Sequence, residues 1–284
     1  MIWKEAADGI CLEKYEGDAE RVSLPETALG RPVTEIGAYS FHGHREIVAC
    51  ALPKSVKRLG AHAFYDCRKL SKLSLSDQVT EIGDGAFKNC RLLSEIEVAV
   101  TMGHFAGLKN ILEECSQKMV VTLHFVDGSQ AKLVFPRFLQ DYEENTAARI
   151  INQVTYGAGV HYRTCIEENR IDFVRYDARF DLLKNLEAEE VAGETAVYRL
   201  TYPQELSESA ADIYRSFLLE NVLGLTQTWL EKERLDLIEA LADLVEEKER
   251  EVMLRTAQEK GVLAAVSLLL AKGRKTEAPD EWAF

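Results

Sequence analysis

The sequence lacks the patterns that mark several classes of protein. No run approaches 18 consecutive apolar residues, so we predict no membrane span. The N-terminus, Met1–Gly9, has no apolar core of signal-peptide length, and we therefore expect a cytoplasmic protein, unless the natural chain begins further upstream. The six cysteines never occur in a C-x-x-C spacing, which argues against structural zinc sites and dense disulfide frameworks.

Positive charge is also in short supply. The 284 residues include 34 Lys and Arg against 47 Asp and Glu, and the formal net charge is −13. Binding to a phosphate backbone depends on clustered Lys and Arg, so we predict no nucleic-acid partner. With 46% hydrophobic and 29% charged residues, the chain has the composition of a folded protein and the length of about two domains.

Catalytic and cofactor-binding motifs are absent from the sequence as well. It contains no G-x-S-x-G, H-E-x-x-H or Cys–His signature, and Gly157-Ala158-Gly159 lacks the spacing of a phosphate loop. We therefore predict a non-enzymatic protein without cofactor or metal. An enzyme whose site lies within residues 140–203 stays open as an alternative, because catalytic groups can be assembled from distant residues.

What the sequence does contain is a repeat of 23 residues between Val33 and Val98. The motif V-x-x-[IL]-G-x-x-x-F begins at Val33, Val56 and Val79, and an L-x-x-L-x-L-type spacing follows each copy. A fixed period of this length predicts a leucine-rich-repeat solenoid, in which each repeat buries its apolar face against its neighbours. We expect the phenylalanines of the motif to stack in the core: Phe41, Phe64 and Phe87.

Positions one period apart form columns in such a solenoid. Glu35, Arg58 and Glu81 alternate in sign, which predicts a structural salt-bridge ladder. A second column holds a histidine and two cysteines. We interpret it as a core column, because a stacked line of side chains does not provide a tetrahedral metal site. Its members are His44, Cys67 and Cys90.

The repeats resemble the BspA-type leucine-rich repeats of bacterial proteins, in which V-x-x-I-G-x-x-A-F-x-x-C-x-x-L recurs. The resemblance covers about residues 20–100, and Val22–Phe41 is similar to the opening repeat of that family. It implies a short right-handed solenoid and a role in protein or surface binding. We therefore expect a protein-interaction scaffold of unknown partner and oligomeric state. A fragment of a surface adhesin is the alternative, since many members of the family are surface proteins.

The fold class expected for the whole chain is α+β, with the solenoid followed by an α-helical domain. We divide it into a solenoid with caps and a closing hairpin (1–135), a mixed connecting region (136–203), a helical bundle (204–275) and a tail (276–284). The segment from Thr256 to Gly273 resembles the paired helices of an ankyrin repeat. Four further helices are predicted from apolar spacing, with breaks near Gly224, around Glu249–Val252 and at Gly261: Asp141–Val154, Ile171–Leu186, Leu206–Leu223 and Glu231–Glu249.

Six residues are candidate contacts for a partner. Arg45, Arg68 and Arg91 share one column, at a spacing of about 4.8 Å between strands. Like charges so close repel unless an acid or a bound anion lies between them, so the column could bind a carboxylate or phosphate. Three solvated side chains are the default interpretation. The other candidates are Lys72, on a strand face otherwise poor in interface-forming residue types, and the adjacent pair Tyr162 and Arg163.

Overall fold

The computed structural model describes residues 1–145 and 150–274. The chain forms two compact units, Met1–Arg179 and Phe180–Phe284. A β-solenoid comes first and a helical region follows, which confirms the predicted fold class. The finer boundaries drawn from the sequence at residues 135, 203 and 275 stay a prediction. Within the described ranges, no helix has both the length and the apolar character needed to cross a membrane.

Twelve strands of the first unit build the solenoid and its caps. They are β1 (Ile2–Ala6), β2 (Gly9–Lys14), β3 (Arg21–Ser23), β4 (Thr27–Ala28), β5 (Arg31–Ile36), β6 (Ala49–Ala51), β7 (Arg58–Leu59), β8 (Lys72–Ser76), β9 (Glu81–Ile82), β10 (Glu95–Val100), β11 (Met119–Phe125) and β12 (Gln130–Phe135). One sheet has the order β1-β2-β5-β7-β9, with β4 paired to β5, and the other has the order β12-β11-β10-β8-β6-β3. The turns of the repeats connect these two sheets.

The pairing of parallel strands follows the 23-residue period of the sequence. Arg58 lies opposite both Glu35 and Glu81, and its guanidinium donates to the Glu35 carboxylate, as the ladder predicts. Val22 lies opposite Cys50, so the opening segment is a repeat in the same register. At the other end β12 runs antiparallel to β11, which confirms the closing hairpin.

The predicted aromatic stack forms the centre of the solenoid. The ring centroids of Phe41 and Phe64 lie 4.7 Å apart and those of Phe64 and Phe87 lie 5.3 Å apart, with each pair parallel within 6°. Successive turns can approach so closely because Gly60 has no side chain. A Cβ atom at this position would lie 2.4 Å from the backbone nitrogen of Ala38. The repeat therefore requires both its phenylalanine and its glycine.

A helix closes the C-terminal end of the stack of turns. In the first two repeats the N–H of the core phenylalanine donates to a carbonyl of the next repeat at 2.8 Å. In the third repeat, Phe87 N–H donates at 3.1 Å to the carboxylate of Glu114, the last residue of helix α1 (Ala106–Glu114). The side-chain amide of Gln117 donates to the Cys90 carbonyl. The side chains of Glu114 and Gln117 thus make hydrogen bonds that the backbone of a further turn would otherwise make.

The remainder of the first unit corrects one predicted helix. Leu139–Asn145 (β13) and Ile150–Tyr156 (β14) form an antiparallel pair of strands. The helix predicted over Asp141–Val154 is therefore wrong for residues 141–145 and 150–154. Residues 146–149 lie outside the described residues. Strand β14 is rich in β-branched side chains, which favour strands once a partner strand is present. The elements that follow are α2 (Ala158–Arg163), β15 (Ile166–Glu167), β16 (Arg170–Ile171) and α3 (Phe173–Asp177).

The second unit is helical. Its helices are α4 (Phe180–Leu186), α5 (Glu189–Thr201), α6 (Glu208–Glu231), α7 (Leu235–Leu244), α8 (Glu247–Glu259) and α9 (Leu263–Arg274). The helix predicted over Ile171–Leu186 is divided between α3 and α4. The break predicted near Gly224 is wrong, because α6 continues through it; a Cβ atom there would lie 2.5 Å from the Glu189 carboxylate. The break predicted around Glu249–Val252 is wrong, because α8 continues through it, whereas the break at Gly261 is confirmed, with φ +68°.

Candidate partner-binding face of the solenoid

The turns of the solenoid hold two aromatic residues in the left-handed backbone conformation. Tyr39 and His62 are one period apart, and both have φ 58°. The equivalent residue of the third repeat is Gly85, with φ 63°. The left-handed conformation is unfavourable by about 1–2 kcal/mol for a residue with a Cβ atom. The first two repeats therefore carry a ring where glycine would be the unstrained choice, and strain of this kind is typical of functional positions.

Four rings on these turns form one contiguous group, which we name the ring cluster: Tyr39, His42, His62 and Tyr65. Tyr39 contacts both histidines, with centroids 5.9 and 5.0 Å apart, and Tyr65 stacks on the same two at 5.3 and 5.4 Å. Tyr39 is 55% exposed. This cluster was not predicted from the sequence. Its signal was the alternation of Tyr and His at positions one period apart.

The predicted arginine column lies next to the ring cluster and is partly neutralised. The carboxylate of Asp66, the residue after Tyr65, accepts from Arg45 Nη2 at 2.8 Å and from Arg68 Nε at 2.6 Å. These bonds, that from Arg68 first, hold the pKa of Asp66 below its ordinary value. The acid required between two stacked arginines is therefore present, and Asp66 fixes both guanidinium groups at the surface.

The third arginine has a different environment. Asn89 stands at the position equivalent to Asp66, with the same left-handed backbone (φ 68° against 63°). Arg91 is exposed, and the described residues include no acid paired with it. A groove of about 590 Å³ opens here, and its charged lining residues are Lys88 and Arg91 together with Asp84, Glu113 and Glu114. Only the first two arginines of the column thus share an acid. We name the ring cluster, Asp66 and the three arginines the turn face.

Lys72 lies on the outward side of the second sheet. Its Nζ is 2.7 Å from a carboxylate oxygen of Glu97, one strand away, and the Ser74 hydroxyl donates to the same carboxylate at 3.1 Å. Lys72 is therefore engaged within the strand face. The neighbouring outward residues on β6, Ala49 and Ala51, are small.

The comparisons with known proteins identify the repeats. Residues 19–119 match the family model of the BspA type leucine rich repeat region, in six copies. This stretch is a BspA-type leucine-rich-repeat region. The comparisons do not confirm the ankyrin-like resemblance of the C-terminal part. A comparison with curated proteins finds none that matches this sequence.

Solved structures with similar repeats come from bacteria. A leucine-rich repeat protein of T. pallidum is 31% identical over 37% of this chain and 54% of its own, with a TM-score of 0.33. A leucine-rich repeat protein from Bacteroides capillosus is 25% identical over 34% of this chain and 80% of its own, with a TM-score of 0.30. The matched part thus spans about half the length of the T. pallidum protein.

The last two candidates, Tyr162 and Arg163, are buried in the segment that follows the BspA-type region in the sequence. Tyr162 is fully buried, and Arg163 is 7% exposed. The Arg163 guanidinium lies 4.4 Å from the Phe138 ring centroid, and burial lowers the pKa of Arg163 to about 10. It donates to five backbone carbonyls: those of Leu112, Cys115, Gln117, Pro136 and Gly159. Its donors are thus engaged within the unit, so we do not include it in a partner-binding surface.

A cleft of about 430 Å³ lies beside Arg163. Four of the charged side chains lining it form two ion pairs with each other: Lys109 with Glu113 at 4.0 Å, and Arg175 with Glu167 at 2.8 Å. Within the described ranges, no cluster of three or more His, Cys, Asp or Glu side chains is arranged to hold a metal.

Proposed function

We propose that this chain is a non-enzymatic protein-interaction scaffold and that a protein partner binds to the turn face of its BspA-type region. The observation that carries the proposal is the ring cluster. Two of its four rings occupy a backbone conformation that disfavours them, and the cluster stands beside an arginine column. Tyr and Arg are the residue types that, with Trp, dominate the binding energy of protein interfaces.

The turn face meets two further requirements of an interface. Two of its arginines, Arg45 and Arg68, are held in place by Asp66, so less side-chain entropy is lost when a partner binds. Its rings already contact one another, and rigid aromatic side chains contribute large contact area at low conformational cost. Around β6 and β8 the strand face offers neither feature, since Lys72 pairs with Glu97 and the outward residues Ala49 and Ala51 are small.

The test uses a substitution taken from the protein's own repeat. Because Gly85 holds the equivalent position, the double variant Tyr39→Gly/His62→Gly removes two rings and keeps the backbone conformation. Wild type, this variant and a strand-face control, Ser74→Ala/Thr122→Ala, would be used for affinity capture from extracts of the organism that encodes the protein. A partner retained by the control and lost by the ring variant is expected. Equal retention by all three proteins would contradict the turn-face assignment.

The cleft beside Arg163 supports a second candidate function, an enzyme with a site formed in part by residues 140–203. Its test is a screen of small-molecule mixtures for binding to the full chain by thermal shift, with Glu113→Gln/Glu167→Gln as the variant. A ligand that stabilises wild type and not the variant would favour the enzyme. The predicted cytoplasmic location and the adhesin alternative stay proposals, which fractionation of native cells with an antibody to this chain would separate.

A further inference from the structure

The arginine column contains one site that is filled and one equivalent site that is not. Between Arg45 and Arg68 the carboxylate of Asp66 accepts three hydrogen bonds, two from Arg45 and one from Arg68. We name this position the acid site. The 23-residue period places Asn89 in the same relation to Arg68 and Arg91, and we name that position the open site. Its neutral amide cannot balance the charge of Arg91, while Arg68 is already paired with Asp66.

Backbone donors are also left over at the open site. In the first two repeats, the N–H groups of Tyr39 and His62 donate to carbonyls of the next repeat, both at 3.1 Å. The equivalent N–H of Gly85 has no acceptor among the described residues. The same holds for Asn89 N–H, although Asp66 N–H donates at 3.0 Å to the Lys88 carbonyl. Both unpaired donors belong to residues that line the groove of about 590 Å³.

The local charge differs from that of the chain. The net charge of the protein is −13, yet basic side chains outnumber acidic ones on the three turns. The basic residues are Arg45, Arg68, Lys69, Lys88 and Arg91, and the acidic residues are Glu46, Asp66 and Asp84. Two of these acids are already engaged, Glu46 by His44 and Asp66 by the arginines. The turns are therefore locally basic, whereas the groove of about 590 Å³ is lined by Asp84, Glu113 and Glu114 as well as by Lys88 and Arg91.

We propose that the open site binds a carboxylate side chain of an acidic polypeptide segment. The carboxylate takes the place between Arg68 and Arg91 that Asp66 takes between Arg45 and Arg68. Backbone carbonyls of the segment accept from the free N–H groups of Gly85 and Asn89, as a further repeat would. The acid site is the structural precedent for the chemistry, because paired guanidinium groups bind a carboxylate there within the same column.

This inference rests on the proposed function, since it states which chemistry the turn face recognises. The probe is a fluorescein-labelled decapeptide of glutamate, with a decaglutamine peptide as the neutral control, and binding to the full chain is measured by fluorescence anisotropy at low salt. Wild type is expected to bind the glutamate peptide and not the glutamine peptide. Binding of neither, or equal binding of both, would overturn the proposal.

Asn89→Asp is the decisive variant, because it places the chain's own carboxylate in the open site and Asp tolerates the left-handed backbone. We expect its Kd for the glutamate peptide to rise about tenfold, the loss of a charge-assisted contact. Lys69→Ala changes the net charge by the same amount at a neighbouring exposed position, and we expect less than about a twofold rise, since exposed charges are screened. Equal effects of the two variants would show attraction by net charge alone and contradict the site.

Two further measurements separate the remaining outcomes. Asp66→Asn makes the acid site resemble the open site, and we expect it to tighten binding of the glutamate peptide; unchanged binding would contradict the equivalence of the two sites. A phosphoserine peptide that binds while the glutamate peptide does not would overturn the choice of a carboxylate ligand. If no acidic peptide binds but the ring variant still loses its protein partner, this inference fails and the proposed function stands.

Discussion

The strand face and the turn face of the solenoid share one 23-residue period but have opposite characters. On the strand face, Ala49 and Ala51 are small, and Lys72 pairs with Glu97 on a neighbouring strand. On the turn face, large rings and arginines occupy equivalent positions, and Tyr39 is held at φ 58°. The period therefore fixes which residues stack, whereas the backbone conformation of each column decides how a side chain is presented.

The largest effect on stability is expected when a residue of the core shared by both faces is removed. Phe64 is fully buried between two parallel rings, so Phe64→Ala should lower the free energy of unfolding by about 3–5 kcal/mol. Chemical denaturation followed by circular dichroism measures this. Phe64→Leu, the matched control, should lower the free energy of unfolding by less than Phe64→Ala. A loss below about 1 kcal/mol for Phe64→Ala would show that the repeats do not depend on the stack.

The end of the strand face is expected to be sensitive to acid. Burial would raise the pKa of Asp77, but hydrogen bonds from Met102, Thr101 and Gly103 outweigh burial and hold it below the ordinary value. A depressed pKa stabilises the fold above the unfolded pKa of about 3.9, and this stability is lost as the pH falls through the folded pKa.

Asp77→Asn removes this charge and should cost about 1.5–3 kcal/mol at pH 7, because the hydrogen bonds that it weakens are made to a charged group. Thermal unfolding from pH 7 to pH 2 measures both proteins. The stability of the variant should fall less steeply than that of wild type below pH 4. Parallel curves would contradict a role for the Asp77 charge.

Glycine substitutions should have opposite signs on the two faces. At Tyr39 the backbone is left-handed, so Tyr39→Gly should be more stable than Tyr39→Ala by about 1 kcal/mol. At Ala51, in strand β6, Ala51→Gly should be less stable than wild type by about 0.5–1 kcal/mol. Urea denaturation of the three variants tests the pair. The same sign at both positions would mean that strain does not distinguish the turn face.

The smallest effect is expected for the ion pair of the strand face. Lys72 and Glu97 are both partly exposed, and such pairs contribute about 0.2–1 kcal/mol. Lys72→Met should therefore change the unfolding free energy by less than about 1 kcal/mol and leave capture of the partner unchanged. A variant that keeps its stability and loses the partner would transfer the binding site to the strand face.

Sequence patterns predicted the solenoid well and the remainder of the chain unevenly. The period placed the phenylalanine stack, the ladder at Arg58 and the closing hairpin, because each follows from residues that recur or from a local turn. Residues 141–145 and 150–154 were assigned to the wrong element, since their propensities are compatible with helix and strand and the pairing of the two strands decided between them. Gly224 likewise marks a close approach to Glu189 and not a helix end, which only the packing of the two helices reveals.

The candidate site shows the same division. By itself, the sequence determined that Arg45, Arg68 and Arg91 form one column, because spacing at a fixed period is a property of the chain. Only the tertiary structure decided that Asp66 neutralises the first two arginines and that four rings form a cluster beside them. It also decided that Arg163 is buried and donates to five backbone carbonyls. The physical reason is that ion pairs, ring contacts and burial depend on the positions of side chains from different segments, which no local pattern encodes.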